Sequence, residues 1–132
     1  MLDRAVMGHP RLVTDDREIR RGGVSYTVDT LRELRQEYPG DSLCLLVGAD
    51  AAADLPNWHE AGELGRLARI VALTRPSVAL PEHPMIDSCL AVPAVEVSAT
   101  EIRCRVALGE PIADLVPPAV AAYIAAHGLY QT

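Results

Sequence analysis

Leu43-Cys44-Leu45-Leu46-Val47-Gly48-Ala49-Asp50 is the stretch that decides the fold. An unbroken apolar run ending abruptly at Gly-Ala-Asp predicts a strand buried on both faces, as strands of a parallel sheet are. Helical patterns flank it. Upstream, Ser25 or Thr27 is expected to cap a helix with Val28, Leu31, Leu34 and Tyr38 on one face, stopped by Pro39-Gly40. Downstream, a helical stretch from Ala51 breaks at Pro56-Asn57, and another runs from Trp58 towards Leu67. Ile70-Val71-Ala72-Leu73 is a second apolar strand, ended by Thr74-Arg75-Pro76, and residues 76–94 read as a proline-rich loop.

Further out, Val95 to Val97 reads as a third short strand, followed by a helix from Thr100 to Leu108 stopped by Gly109. Ser98 followed by Glu101 is a capping box, which marks that helix start. Pro117-Pro118 opens a last helix, Ala119 to Ala126, closed by His127-Gly128. At the front, Met1 to Met7 is helical but starts without a cap, and Arg11 to Thr14 is a short strand candidate. Strands alternating with helices predict an α/β fold with a parallel sheet on a single domain, residues 1–132.

Composition narrows the function. The 132 residues carry a net charge of −6, which disfavours nucleic acid or an anionic membrane as partner. Arg17, Arg20 and Arg21 form a local positive cluster that reads as solvated surface. Cys44, Cys89 and Cys104, odd in number and without a C-x-x-C spacing, fit reduced thiols in the cytoplasm. With four Tyr, one Trp and no Phe, the core must be aliphatic, which makes Trp58 conspicuous. His59 and Glu63, four apart, are expected to be a solvated pair rather than a metal site.

Ligands of open α/β sheets sit at the carboxyl ends of the strands. Three polar clusters fall at such ends: Gly48-Ala49-Asp50, Thr74-Arg75 and Ser98 to Arg103. In the last of these, a helix N-terminus, the hydroxyls of Ser98 and Thr100 and the guanidinium of Arg103 together suit a phosphate chain. A plain capped surface helix is the competing reading.

With those clusters in order, the chain resembles the bacterial nicotinate-nucleotide adenylyltransferases of the HIGH-motif nucleotidyltransferase superfamily. The match is carried by Ser25-Tyr26-Thr27-Val28-Asp29-Thr30-Leu31, by Val47-Gly48-Ala49-Asp50 with Trp58 beyond it, by Arg75-Pro76, and by Ser98 to Arg103. The ending, with Val116-Pro117, Val120, Tyr123-Ile124 and Leu129-Tyr130, is similar too. The resemblance implies a Rossmann-like fold and transfer of AMP from ATP to nicotinate mononucleotide, with Mg²⁺ carried by ATP. It implies Tyr26, Thr27 and Trp58 at the nicotinate ring, Gly48 and Asp50 at the ATP ribose, and Ser98, Thr100, Arg103 and Arg75 at phosphates. No protein nucleophile is required, and no catalytic side chain or protein-held metal is identified.

The chain departs from the family in three places. It contains no His-x-Gly-His, the segment that contacts ATP phosphates in relatives, so the resemblance implies that the first strand and Gly-rich turn lie outside these residues. Weak turnover and poor stability of the chain by itself are the corresponding expectation. Its alternative is a non-catalytic relative that binds a nucleotide or a partner subunit. Ala99 stands where many relatives carry a second serine, and the connection from Arg75 to Ser98 is shorter than usual. Oligomeric state, a homo-oligomer included, is left open.

Overall fold

The computed structural model describes residues 1–74 and 83–131. They fall into two compact units: 16–94, and 1–15 together with 95–132.

The larger unit holds α2 (Arg17–Arg21), α3 (Thr27–Glu37), β1 (Cys44–Gly48), α4 (Ala49–Asp54), a 3₁₀ turn (Leu55–Asn57), α5 (Ala61–Leu67), β2 (Arg69–Thr74) and β3 (Ser88–Ala91). The strands form one parallel sheet in the order β1-β2-β3. Leu45 pairs with Ile70 and Val47 with Ala72, and Ala72 in turn pairs with Cys89. The helices between β1 and β2 supply the crossover that a parallel pair requires. This is the α/β architecture expected, with flanking helices on a parallel sheet.

The core of this unit lies where the helices meet the sheet. Val28, Leu55, Leu64, Ile70 and Ala72 are fully buried, joined by Leu31, Val47, Ala52 and Ala68. Val28 and Leu31 present one side of α3, and Leu64 is the inward residue of α5. The other face of β1 is open, with Leu46 59% exposed. The expected double burial of β1 is therefore corrected: its residues alternate, because the clustered apolar residues cover one face only.

The third strand is also relocated. Val95 to Val97 has no strand structure, and the sheet is completed by Ser88–Ala91, inside the stretch read as a loop. Its docking begins with Asp87, whose carboxylate accepts from the Ile70 N–H at 2.7 Å while its own N–H donates to the Ile70 carbonyl at 2.9 Å. Those two bonds satisfy the backbone of a fully buried residue, a stronger constraint than the local proline content. Arg11 to Thr14 likewise forms no strand.

The smaller unit contains α1 (Leu2–Val6), α6 (Ala99–Ala107) and α7 (Pro118–Ala126). Its core is Ile112, Val120 and Ile124, with Ala5, Ile102, Val106 and Leu129 packed around them. Proline at the start of α7 fits a position whose N–H has no helical acceptor. Among the described residues, no helix is long and apolar enough to cross a membrane.

Burial sets the expected stability pattern of the sheet. Leu64→Ala should cost roughly 2–5 kcal/mol in urea unfolding, the range for emptying a buried leucine site. Leu46→Ala should stay within about 0.5 kcal/mol, the range for surface substitutions.

Candidate functional site

Two loops meet at one pocket. It has a volume of about 330 Å³ and is lined by Ser25, Tyr26, Thr27, Asn57, Trp58 and His59. The first three residues lead into α3 and the last three form the turn before α5, helices that pack on each other. Trp58 rests partly buried against the core cluster. Tyr26 stacks on His59, with ring centroids 4.1 Å apart and planes inclined by 26°. The pocket is thus aromatic on its walls, with hydroxyl and amide groups beside them and no carboxylate among its lining residues.

The entry to α3 adds donors. Neither Ser25 nor Thr27 caps it, contrary to expectation; Tyr26 takes the cap position and its side chain makes no capping bond. The Tyr26 carbonyl already accepts from the Asp29 N–H at 3.1 Å. The N–H groups of Thr27 and Val28 come before that first helical donor and stand at the positive end of the helix dipole, where a guest can take them. Asp29 would oppose an anion there, but it is paired with Arg32 at 3.3 Å.

The turn carrying Trp58 and His59 was missed in detail by sequence reasoning, which ran a helix through it. The helix starts only at Ala61, because Glu60 adopts a left-handed conformation with φ +48°. Arg32 holds the Glu60 carboxylate with both terminal guanidinium nitrogens, and His59 Nε2 lies 3.3 Å from it. His59 consequently faces Tyr26 and Glu60 rather than pairing with Glu63, whose carboxylate takes Arg66 at 2.9 Å. The signal for the pocket role of His59 and Asn57 was their place beside Trp58.

Gly48 and Asp50 lie where expected, at the carboxyl end of β1. Gly48 is the cap residue of α4 and Asp50 sits exposed in its first turn. The φ of Gly48, −69°, is open to any residue, and a methyl group there would meet no atom within 4 Å. Folding therefore gives little reason for glycine. Thr74 ends β2, while Arg75 lies outside the described residues.

In the smaller unit, Ser98 caps α6 by accepting from the Glu101 N–H at 3.1 Å. The box is only half made, since Glu101 turns to Arg105 at 2.7 Å instead. Asp114 first, and then Glu101, raise the pKa of Arg105 and fix it as a structural cation. Arg103 differs. It is exposed, its Nη2 donates to Thr100 Oγ1 at 3.3 Å, and no carboxylate pairs with it among the described residues. The two helical arginines are thus divided between a structural role and an available one. Val95 to Val97 being irregular, this cluster does not follow directly from a strand.

A larger open groove of about 650 Å³ runs past Arg17, Arg20 and Arg21. Those arginines are engaged with Glu37 at 2.9 Å, Asp16 at 2.7 Å and Glu33 at 2.9 Å. That cluster holds α2 to α3 rather than waiting for an anion. No group of three or more His, Cys, Asp or Glu side chains among the described residues is placed to hold a metal ion.

Fold and site together define a Rossmann-like α/β protein with an aromatic pocket at a helix entry. Comparison with known proteins gives the family. No protein-family model matches the chain. It is 45% identical over 127 residues to a nicotinate-nucleotide adenylyltransferase from Thermus thermophilus, covering 96% of this chain and 68% of that one. A relative of the same name from Arthrobacter sp. is 42% identical over 127 residues, with 96% and 62% covered. Another, from Geobacillus thermodenitrificans, is 41% identical over 131 residues, with 98% and 60% covered. The chain thus spans between 60% and 68% of the length of these three relatives.

Among solved structures, the nicotinic acid mononucleotide adenylyltransferase of Plasmodium falciparum, complexed with APC, superposes with a TM-score of 0.65. The identity is 19%, and the match covers 83% of this chain and 60% of that one. A second structure of that enzyme, complexed with NaAD, has a TM-score of 0.63, 19% identity and coverage of 82% and 58%. The chain belongs to the nicotinate-nucleotide adenylyltransferase family.

The Arg32 pairing makes a pH prediction. Its hydrogen bond and charge hold Glu60 below the usual carboxylate range. The pair's stabilisation is present above the unfolded glutamate pKa and is lost as pH falls through the lower folded value. An NMR titration should show the Glu60 carboxyl ionised after exposed glutamates have protonated, and Arg32→Ala should bring it back among them.

Proposed function

We propose that the chain serves transfer of AMP from ATP to nicotinate mononucleotide, yielding deamido-NAD and pyrophosphate. The pocket of Ser25 to Thr27 and Asn57 to His59 is the observation that carries this reading. Its aromatic walls suit a flat pyridine ring, and the uncapped α3 entry suits the ring carboxylate. Trp58 stacks on the nicotinate, Thr27 meets the carboxylate through hydroxyl and backbone N–H, and Tyr26 walls the pocket.

The remaining roles follow the same chemistry. Asp50 accepts from ribose hydroxyls, and Gly48 lets the backbone come close to the nucleotide, in keeping with the empty space where its side chain would stand. The α6 N-terminus with Ser98, Thr100 and Arg103 holds ATP phosphates, and the resemblance assigns Arg75 to a phosphate too. A phosphate oxygen of the mononucleotide attacks the α-phosphorus in line; the new P–O bond forms as the bond to the β-phosphate bridging oxygen breaks, and pyrophosphate leaves. Catalysis is then positioning and charge stabilisation, without a protein nucleophile. Mg²⁺ would be carried by ATP and would neutralise charge on its phosphates. The cytoplasm is the proposed location, in keeping with free Cys44, Cys89 and Cys104.

Trp58 is the only tryptophan, so its fluorescence reads the pocket directly. Nicotinate mononucleotide should quench it saturably, and Trp58→Tyr should weaken binding, measured by calorimetry, by ~10-fold, about the worth of a lost stacking surface. Absence of both quenching and calorimetric binding overturns the reading.

Gly48→Ala separates ligand from fold. Losing glycine at the α4 cap should cost no more than about 1 kcal/mol in thermal unfolding, while nucleotide affinity should fall more steeply, by ~10-fold or beyond, as the methyl enters the ligand's space.

A further inference from the structure

We propose that His59 is a positioning residue for the nicotinate pocket: its ring, stacked on Tyr26 and tied through Glu60 to Arg32, fixes the two pocket loops against each other. This rests on the pocket reading above and deepens it. The stack is not a by-product of core packing. Tyr26 is 39% exposed and the His59 side chain 46%, so neither ring is driven there by burial. It is instead a direct side-chain link between the two loops that line the pocket.

The backbone explains why such a link is needed. Trp58 sits in a tight turn, its N–H donating to the Leu55 carbonyl at 3.1 Å and its carbonyl accepting from the Ala61 N–H at 3.1 Å. The turn closes through Glu60 in a left-handed conformation, which a residue with a side chain adopts only when its surroundings impose it. Those surroundings are on the page. Arg32 of α3 grips the Glu60 carboxylate while also reaching Asp29, and Glu60 Oε1 faces His59 Nε2. Thus α3 holds one loop through its cap residue Tyr26 and the other through Arg32. His59 joins the two chains of contact, next to the indole that takes the ligand.

The test uses Trp58 emission with and without nicotinate mononucleotide. His59→Ala should raise the dissociation constant by about 2- to 12-fold, the factor corresponding to one aromatic pair. It should also make Trp58 more accessible to acrylamide quenching in the ligand-free protein. His59→Phe, which keeps the stack, should restore both values towards those of the unsubstituted chain. Far-UV circular dichroism checks the fold, and His59→Gln stands in for alanine if that variant does not fold. Equal behaviour of the Ala and Phe variants, or unaltered affinity and quenching in the Ala variant, overturns the proposal. If the unsubstituted chain does not bind the mononucleotide, the functional reading fails instead, and the ligand-free quenching series still decides the role of His59.

Discussion

The packing of α3 and α5 into one apolar cluster with β1 and β2 is the constraint on which the candidate pocket depends. Val28, Leu31, Leu64 and Ile70 belong to that cluster, and they come from three separate elements. Burying them fixes the entry of α3 and the turn before α5 as neighbours, although these are remote in sequence. The hydrophobic term is non-directional and sets proximity. Orientation comes from polar and aromatic contacts added on top, the Arg32–Glu60 pair and the Tyr26–His59 stack. An exposed ion pair contributes little to stability. Its consequence here is geometric, because it holds a turn whose backbone would otherwise relax.

The sequence made the sheet legible where apolar runs ended at glycine or at a polar pair. Leu43 to Val47 and Ile70 to Leu73 were read as strands at nearly the extents of β1 and β2 for that reason. Ser88 to Ala91 escaped, because the prolines around it masked a run too short to stand alone, and its anchor is a side-chain bond from Asp87. Cys89-Leu90-Ala91-Val92 was the available signal. Periodicity cannot report which face of a strand is covered, so β1 was assigned two buried faces and has one. The pocket members Tyr26, Thr27 and Trp58 were legible through family resemblance. His59 and Asn57 were not singled out as such, although they flank Trp58, because a helix was read through His59 and no local pattern announces the left-handed Glu60 that delays it.

Charge tells the same story of local context over composition. A net charge of −6 coexists with twelve basic residues, all of them arginine, and several are held by carboxylates. Arg17, Arg20 and Arg21 are taken by acidic groups around α2 and α3, Arg32 by Asp29 and Glu60, and Arg105 by Glu101 and Asp114. A paired arginine has already given its fork geometry to a carboxylate and would have to surrender it to bind a phosphate. On helix α6 the contrast is internal, with Arg105 fixed and Arg103 exposed two residues earlier. That contrast, rather than the count of basic residues, is what supports Arg103 in a phosphate-binding role.

Glycine and serine in the proposed ligand set illustrate how fold and function are told apart. Ser98 is already committed: its hydroxyl accepts from the Glu101 N–H and stabilises the helix start, so its loss would be felt by the fold as well as by a ligand. Gly48 is different, because neither its backbone angles nor its neighbours exclude a side chain. A residue that folding leaves free to vary, placed at the carboxyl end of a parallel strand, is where a ligand's own volume becomes the constraint. The same logic applies to the turn at Glu60, where the backbone is strained and the side-chain contacts that hold it lead into the pocket. Strain there is compensated by contacts that also set the position of Trp58, so the cost of the turn and the shape of the pocket are parts of one arrangement.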